Sequence, residues 1–197
     1  DNVLGLSLPS AVSNRQDCED ASALCTSLGM EHRIISIEPM LLGFRQLPGF
    51  SESPYLQGNL MARIRMVVLY FHANQDQRLV CGTSNRSEYM LGYCTKFGDN
   101  AADIQPILHL YKSDVYVMAE ELGIPEQIIK KTPSAGLWQG QSDEKEIGLS
   151  YDQIDSALRA LECHEGIPEN TTEEKVLALV KKSGHKRMGA PNLLAVP

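Results

Sequence analysis

VLGLSLPS (residues 3–10), DCEDASALCTSLG (17–29) and HRIISI (32–37) together decide the architecture of this 197-residue chain. Val3 to Leu8 is a short apolar run stopped by Pro9, which reads as a buried strand. The second stretch places Ala21, Leu24, Cys25 and Leu28 on one face of a helix, with Asp17 as the expected cap and Gly29 as the stop. His32 to Ile37 alternates and reads as a second strand. Strand, helix and strand in succession call for a right-handed crossover and parallel pairing. Working outward, Phe44 to Pro54 reads as a loop, and a long helix follows from about Leu56 to Ala73. RLVCG (Arg78–Gly82) reads as a third buried strand. A further helix is expected from Lys112 to Leu122, closed by Gly123 and Pro125. Tyr151 to Leu161 and Thr172 to Lys182 also look helical, the latter with Thr171 and Glu174 as a capping box and Gly184 as its stop. Pro133 to Asp143 has no periodicity and reads as a functional loop, a candidate lid. The expected fold is α/β: a Rossmann-like parallel sheet flanked by helices, spanning residues 1–197 as a single domain. In such sheets ligands lie beyond the carboxyl ends of the strands, here at Ser7–Ser10 and Thr83–Glu88.

Composition narrows the function classes. The net charge of −7 argues against non-specific nucleic-acid binding. No apolar run approaches the roughly 20 residues that cross a bilayer. The first residues show no basic stretch or cleavage site of a signal peptide. Residue 1 is Asp, not Met, which leaves the native start open. Five cysteines, an odd number with no C-x-x-C pair, fit reduced thiols in a cytoplasmic protein.

Several segments carry candidate chemistry. In GTSNRSE (Gly82–Glu88) a strand runs into small hydroxyl and amide residues and then a helix, which suits an anion at the helix start. Glu88 would there suit Mg²⁺, which favours one or two carboxylates plus phosphate oxygens. The same residues also read as an ordinary capped helix in which Glu88 complements the dipole. GYCTKFGD (Gly92–Asp99), with Asp103 close behind, offers Lys96 to a phosphate or carboxylate and Asp103 to ribose or amine donors, or forms a plain polar loop. Lys112 opens a helix, where a cation is disfavoured, hinting at an anionic partner. Arg63 and Arg65 point to different faces of the long helix, so at most one is expected to aim at a site. His185-Lys186-Arg187 is a basic turn.

In order and spacing, GNLMARIRM (58–66), GTSNRSE, GYCTKFGD, PILHLYKSDVY (106–116), PSAGLWQGQSDE (133–144) and HKR (185–187) resemble the NAD synthetase family. That family consists of ATP pyrophosphatases with an adenine-nucleotide α-hydrolase-like fold. The resemblance implies ATP-dependent amidation of deamido-NAD to NAD. The nicotinate carboxylate is adenylated with release of pyrophosphate, and ammonia then displaces AMP. It further implies Thr83, Lys112 and Ser134 against ATP. Arg63, Lys96, Asp103, His185 and Lys186 would meet deamido-NAD, and Glu88 would bind Mg²⁺. Asp143 and Glu144 lie on the loop expected to close over the substrates, with roles the resemblance does not specify. It also implies a cytoplasmic homodimer, with the long helix as the expected interface, and no nucleic-acid or membrane partner.

The family's phosphate loop, Ser-Gly-Gly-x-Asp-Ser, does not occur in these 197 residues. VLGLSLPS resembles the family's following strand instead. The chain is therefore expected to be an N-terminally incomplete domain, inactive by itself, lacking the first strand, phosphate loop and first helix. Two other readings are a GMP synthetase-like ATP pyrophosphatase and a non-catalytic nucleotide-binding or scaffold protein. GTSNRSE and HKR fit the former poorly. Nothing resembles a glutaminase domain, which favours ammonia as nitrogen donor.

Overall fold

The computed structural model describes residues 2–138 and 140–191, so Asp1, Gln139 of the expected lid and residues 192–197 lie outside it. Strands β1 (Leu4–Ser7) and β2 (Glu31–Ile34) pair in parallel, Leu4 opposite Glu31 and Ser7 opposite Ile34. Backbone pairing continues beyond the ladder, with Ile35 N–H donating to Ser7 O and Ile37 N–H to Pro9 O, each at 2.9 Å. The crossover is helix α1 (Arg15–Ser27). Its cap is Asn14, whose side chain accepts the Gln16 N–H, and not Asp17 as the spacing suggested. Asn is as good a cap as Asp, and the turn before Asp17 contains nothing that resists helix. Asp17 lies in the first turn and pairs with Lys131. Gly5 is where α1 approaches the strands most closely: a Cβ there would come within 2.8 Å of the Cys25 sulfur.

Helix α2 (Glu38–Arg45) precedes the expected loop and overlaps its first two residues. Helix α3 (Pro54–Gln75) buries Met61, Ile64 and Val68 against Leu8, Ile37 and Leu41, forming one core beneath the strand pair. Six further helices follow: α4 (Arg86–Leu91), α5 (Lys112–Glu121), α6 (Glu126–Ile129), α7 (Asp143–Ile147), α8 (Tyr151–Cys163) and α9 (Thr171–Lys182). The chain then makes a last helical turn, α10 (Gly184–Arg187). A second core joins Leu91, Tyr111, Tyr151, Ile154, Leu158 and Val176. Asn170, not Thr171, caps α9, accepting from the Thr172 and Glu173 N–H groups. Glu173, not Glu174, reaches back to the Glu169 N–H and the Asn170 side chain. The whole device sits one residue earlier than read because Asn outranks Thr as a cap. Gly184 opens α10 and does not close α9.

Arg78–Gly82 is not a buried strand. Cys81 makes a single parallel bridge to Ile104, and the side chains of Leu79 and Cys81 are exposed. Among the described residues its backbone pairs only with Asp103 and Ile104 in this manner, so one side of the segment is left open. The parallel pairing and flanking helices nonetheless make the fold α/β.

Candidate active site

Asn85 caps α4 with a reciprocal box. The Glu88 N–H donates to Asn85 Oδ1 at 2.9 Å, and the Asn85 N–H donates to Glu88 Oε2 at 3.2 Å. The Arg86 N–H donates to Leu110 O at 2.7 Å. These three N–H groups are therefore taken, which is the capped-helix arrangement. What the turn does present is the other oxygen of Glu88. Lys112 Nζ, from the first residue of α5, donates to Glu88 Oε1 at 3.0 Å. The ammonium lies 5.0 Å from the centre of the Tyr151 ring and 5.9 Å from that of Tyr116. Aromatic faces hold a cation without cancelling its charge, as a second carboxylate would. Thr83 stands exposed at the mouth of this turn.

Asp143 joins the loop of residues 133–142 to that cluster. Its carboxylate accepts from the Ala135 N–H and from the Tyr151 hydroxyl, each at 3.1 Å. Burial pushes its carboxyl above the usual range, against those hydrogen bonds and the field of Lys112. Asp143 itself opens α7, so the loop ends one residue earlier than read. Glu144 accepts the Tyr151 N–H at 2.8 Å, a bond within the scaffold. Ser134 is exposed beside Ala135 and lines a cavity of about 1090 Å³ between residues 11–24 and 128–141.

The second half of the site is cationic. Lys96 Nζ donates to His185 O at 2.5 Å and to Met188 O at 3.1 Å. Lys186 Nζ donates to Gly92 O at 2.7 Å and to Cys94 O at 2.6 Å. Arg187 reaches Met90 O at 2.6 Å and Val180 O at 2.5 Å. Arg63, exposed on α3, donates to Lys96 O at 3.3 Å. All four cations are fastened by backbone carbonyls, and none of the ion pairs found among the described residues includes them. Carbonyl dipoles fix their positions while leaving the positive charge available to a ligand. Gly92 permits the meeting: at φ +65° it packs so closely on α10 that an added Cβ would come within 2.3 Å of Ser183 Cβ.

Two of the residues expected against deamido-NAD also brace the scaffold. His185 contributes its carbonyl to Lys96, and its ring is not part of that contact. Asp103 accepts the Val80 N–H at 2.8 Å and stands 3.5 Å from the Tyr70 hydroxyl, stapling Arg78–Gly82 in place. Arg65, passed over in favour of Arg63, is largely buried and holds the strand-tip loop by donating to Leu8 O at 3.0 Å. The pairing of a mid-helix arginine with a strand end leaves no local sequence signal. Arg65 also lines a cavity of about 530 Å³ with Asn59, Thr95, Asp99, Trp138 and Lys186. The two halves meet at Cys94, whose thiol is pushed up to about 11 by burial and then by Asp99, with Glu88, Lys186 and Arg187 also within electrostatic reach.

The sequence pattern of the NAD synthase family matches residues 1–190. The chain belongs to the NAD synthase family. It is 66% identical to the NH(3)-dependent NAD(+) synthetase of Methanoregula boonei, over all of this chain and 79% of that protein. It is 45% identical to the enzyme of the same name from Thermococcus kodakarensis, over 95% of this chain and 76% of that one. Among solved structures, the NMN synthetase of Francisella tularensis superposes with a TM-score of 0.84 at 40% identity, over 97% of this chain and 78% of that one. The NH3-dependent NAD synthetase of Campylobacter jejuni gives 0.81 at 35% identity, over 98% and 78%. As a member of the NAD synthase family the chain is a nucleotide-binding ligase, and the GMP synthetase and scaffold readings are not favoured. No described helix is long and apolar enough to cross a membrane.

Proposed function

We propose that this chain amidates deamido-NAD to NAD with ATP and ammonia, through a nicotinate adenylate, releasing AMP and pyrophosphate. The observation that carries it is the set of cations fastened by backbone carbonyls beside the Arg65-lined cavity. A dinucleotide substrate brings two phosphates and a carboxylate, and such a cradle balances them without closing on itself. Lys96, Lys186 and Arg63 hold that substrate in this reading, with His185 and Asp103 as the family's further contacts. Lys112, Thr83 and Ser134 face ATP across the other half. Oriented dipoles and fixed charges of this kind favour the transition state because they need no reorganisation as charge moves.

Glu88 is the candidate Mg²⁺ ligand. Among the described residues no three His, Cys, Asp or Glu side chains converge as a metal cage. A partly exposed carboxylate beside a phosphate-binding lysine nonetheless fits an ion that takes one or two carboxylates and completes its shell with phosphate and water. When bound, Mg²⁺ supplies charge neutralisation on the phosphates. Lys112 shares Glu88 and keeps its carboxylate aimed at the same place. A single domain over residues 1–197 is part of this reading.

The test is to give full-length protein ATP, Mg²⁺, deamido-NAD and ammonium, and to follow NAD and AMP together. Equal amounts of both, only when ammonium is present, are expected. Nicotinate mononucleotide is run alongside because an NMN synthetase is among the structural neighbours. A higher kcat/KM for the mononucleotide would overturn the dinucleotide assignment.

A further inference from the structure

Ser87 and Asp155 are both removed from solvent, at 0% and 3% exposure. A buried carboxylate is costly unless its lone pairs are filled. Asp155, on α8, fills them from two other helices: Oδ1 accepts the Ser87 hydroxyl of α4, and Oδ2 accepts the Ser113 N–H of α5 at 2.8 Å. Ser87 Oγ in turn accepts the Lys112 N–H at 2.9 Å. The opening N–H groups of α5 are thus met by side chains from α4 and α8, a cap supplied from outside the helix. The carboxylate also answers the positive end of the α5 dipole, where Lys112 would otherwise be disfavoured.

The residues pinned in this way adjoin the two that face phosphate. Glu88 follows Ser87 in the chain, and the Lys112 backbone itself is held. Their side chains meet at 3.0 Å. Tyr151, one turn before Asp155 on the same helix, supports the Lys112 ammonium. We propose that Asp155 is a positioning residue for the phosphate end of the site: it locks the starts of α4 and α5 together so that Glu88 and Lys112 address one Mg²⁺–ATP. This rests on the function proposed above.

The test compares full-length wild type with Asp155→Ala, Asp155→Asn and Ser87→Ala. Mg²⁺–ATP affinity is measured by calorimetry, KM is measured for each substrate, and thermal melts are recorded. Asp155→Ala is expected to weaken Mg²⁺–ATP binding and raise KM for ATP about tenfold, with KM for deamido-NAD changed less than about twofold. Asp155→Asn keeps an acceptor for Ser87 but turns an amide toward the Ser113 N–H, so a partial effect is expected. A lowered melting temperature with unchanged Mg²⁺–ATP affinity would reduce Asp155 to a scaffold role and overturn the proposal, as would equal rises in both KM values. Should Asp155→Ala fail to fold, Ser87→Ala and Asp155→Asn decide on the same readouts. Wild type that binds Mg²⁺–ATP without amidating sinks the proposed function alone, and the affinities still decide on Asp155. Wild type that does not bind Mg²⁺–ATP sinks both.

Discussion

Lys112 shows how one side chain's placement carries chemical meaning. Its position at a helix start reads from sequence as an oddity, and the structure supplies the reason: Glu88 and two aromatic rings around its ammonium. Lys112→Ala is expected to lower kcat/KM with respect to ATP by about a hundredfold, the scale of losing a preorganised charge, as steady-state rates at varied ATP will show. Cys94 gives a pH-dependent check. The thiolate is the reactive form, and a thiol pushed up to about 11 holds only about one thiolate in a thousand at pH 8. Alkylation of Cys94 should therefore lag behind that of exposed Cys81 and Cys163 at pH 8, and should quicken about tenfold per pH unit until near 11. Peptide mass mapping of labelled protein reads this directly. At this scale the sequence revealed residue types better than partners. Glu88 and Lys112 were both singled out, but their pairing across 24 positions was not legible, nor was the burial of Arg65 beneath the strand tips.

Elements with strong periodicity were readable and weakly patterned ones were not. The β1–α1–β2 unit and the helices α8 and α9 follow from their apolar spacing, whereas α5, read from its Gly123 and Pro125 stop, buries none of its side chains, and β1 is half-buried and not the buried strand expected. Helix α2 was missed: it is short, and Pro39 and Gly43 are residues that usually mark loops. Arg78–Gly82 was misread because apolar composition identifies a segment that pairs in a sheet but not how many neighbours it has. The α8–α9 pair supports the phosphate end, and its packing centres on Ile154 and Val176, both at 0% exposure. Ile154→Ala is expected to destabilise the full-length protein by about 2–5 kcal/mol, the range for a buried isoleucine left as a cavity. A denaturant midpoint unchanged from wild type would contradict that packing.

At the scale of the molecule, an exposed apolar stripe remains to be explained. Leu56, Val67 and Phe71 share the outer side of α3 with Arg63, and Met40, Leu42 and Phe44 of α2 are also exposed. Apolar area of this extent favours a partner, and the proposed occupant is a second copy of the chain, as expected for this family. Phe71→Glu combined with Val67→Glu is expected to shift sedimentation at micromolar concentration from dimer to monomer. A wild-type monomer would refute the interface. The fold class was legible because it depends on a few periodic segments. The cationic half of the site was legible only in part, because its geometry depends on contacts between residues some 90 positions apart.

That separation bears on how the protein is made. The carbonyls of Gly92 and Cys94 find their ammonium partner 94 and 92 residues later in the chain. At about 5–20 residues per second of synthesis, these oxygens wait some 5–20 seconds for Lys186. A nascent chain halted before Gly184 could already build its helical cores, yet it would have no finished grip on an anionic substrate. The grip on the dinucleotide at the cationic half thus forms only after Lys186 has been translated, later than the Glu88–Lys112 pair at the other half.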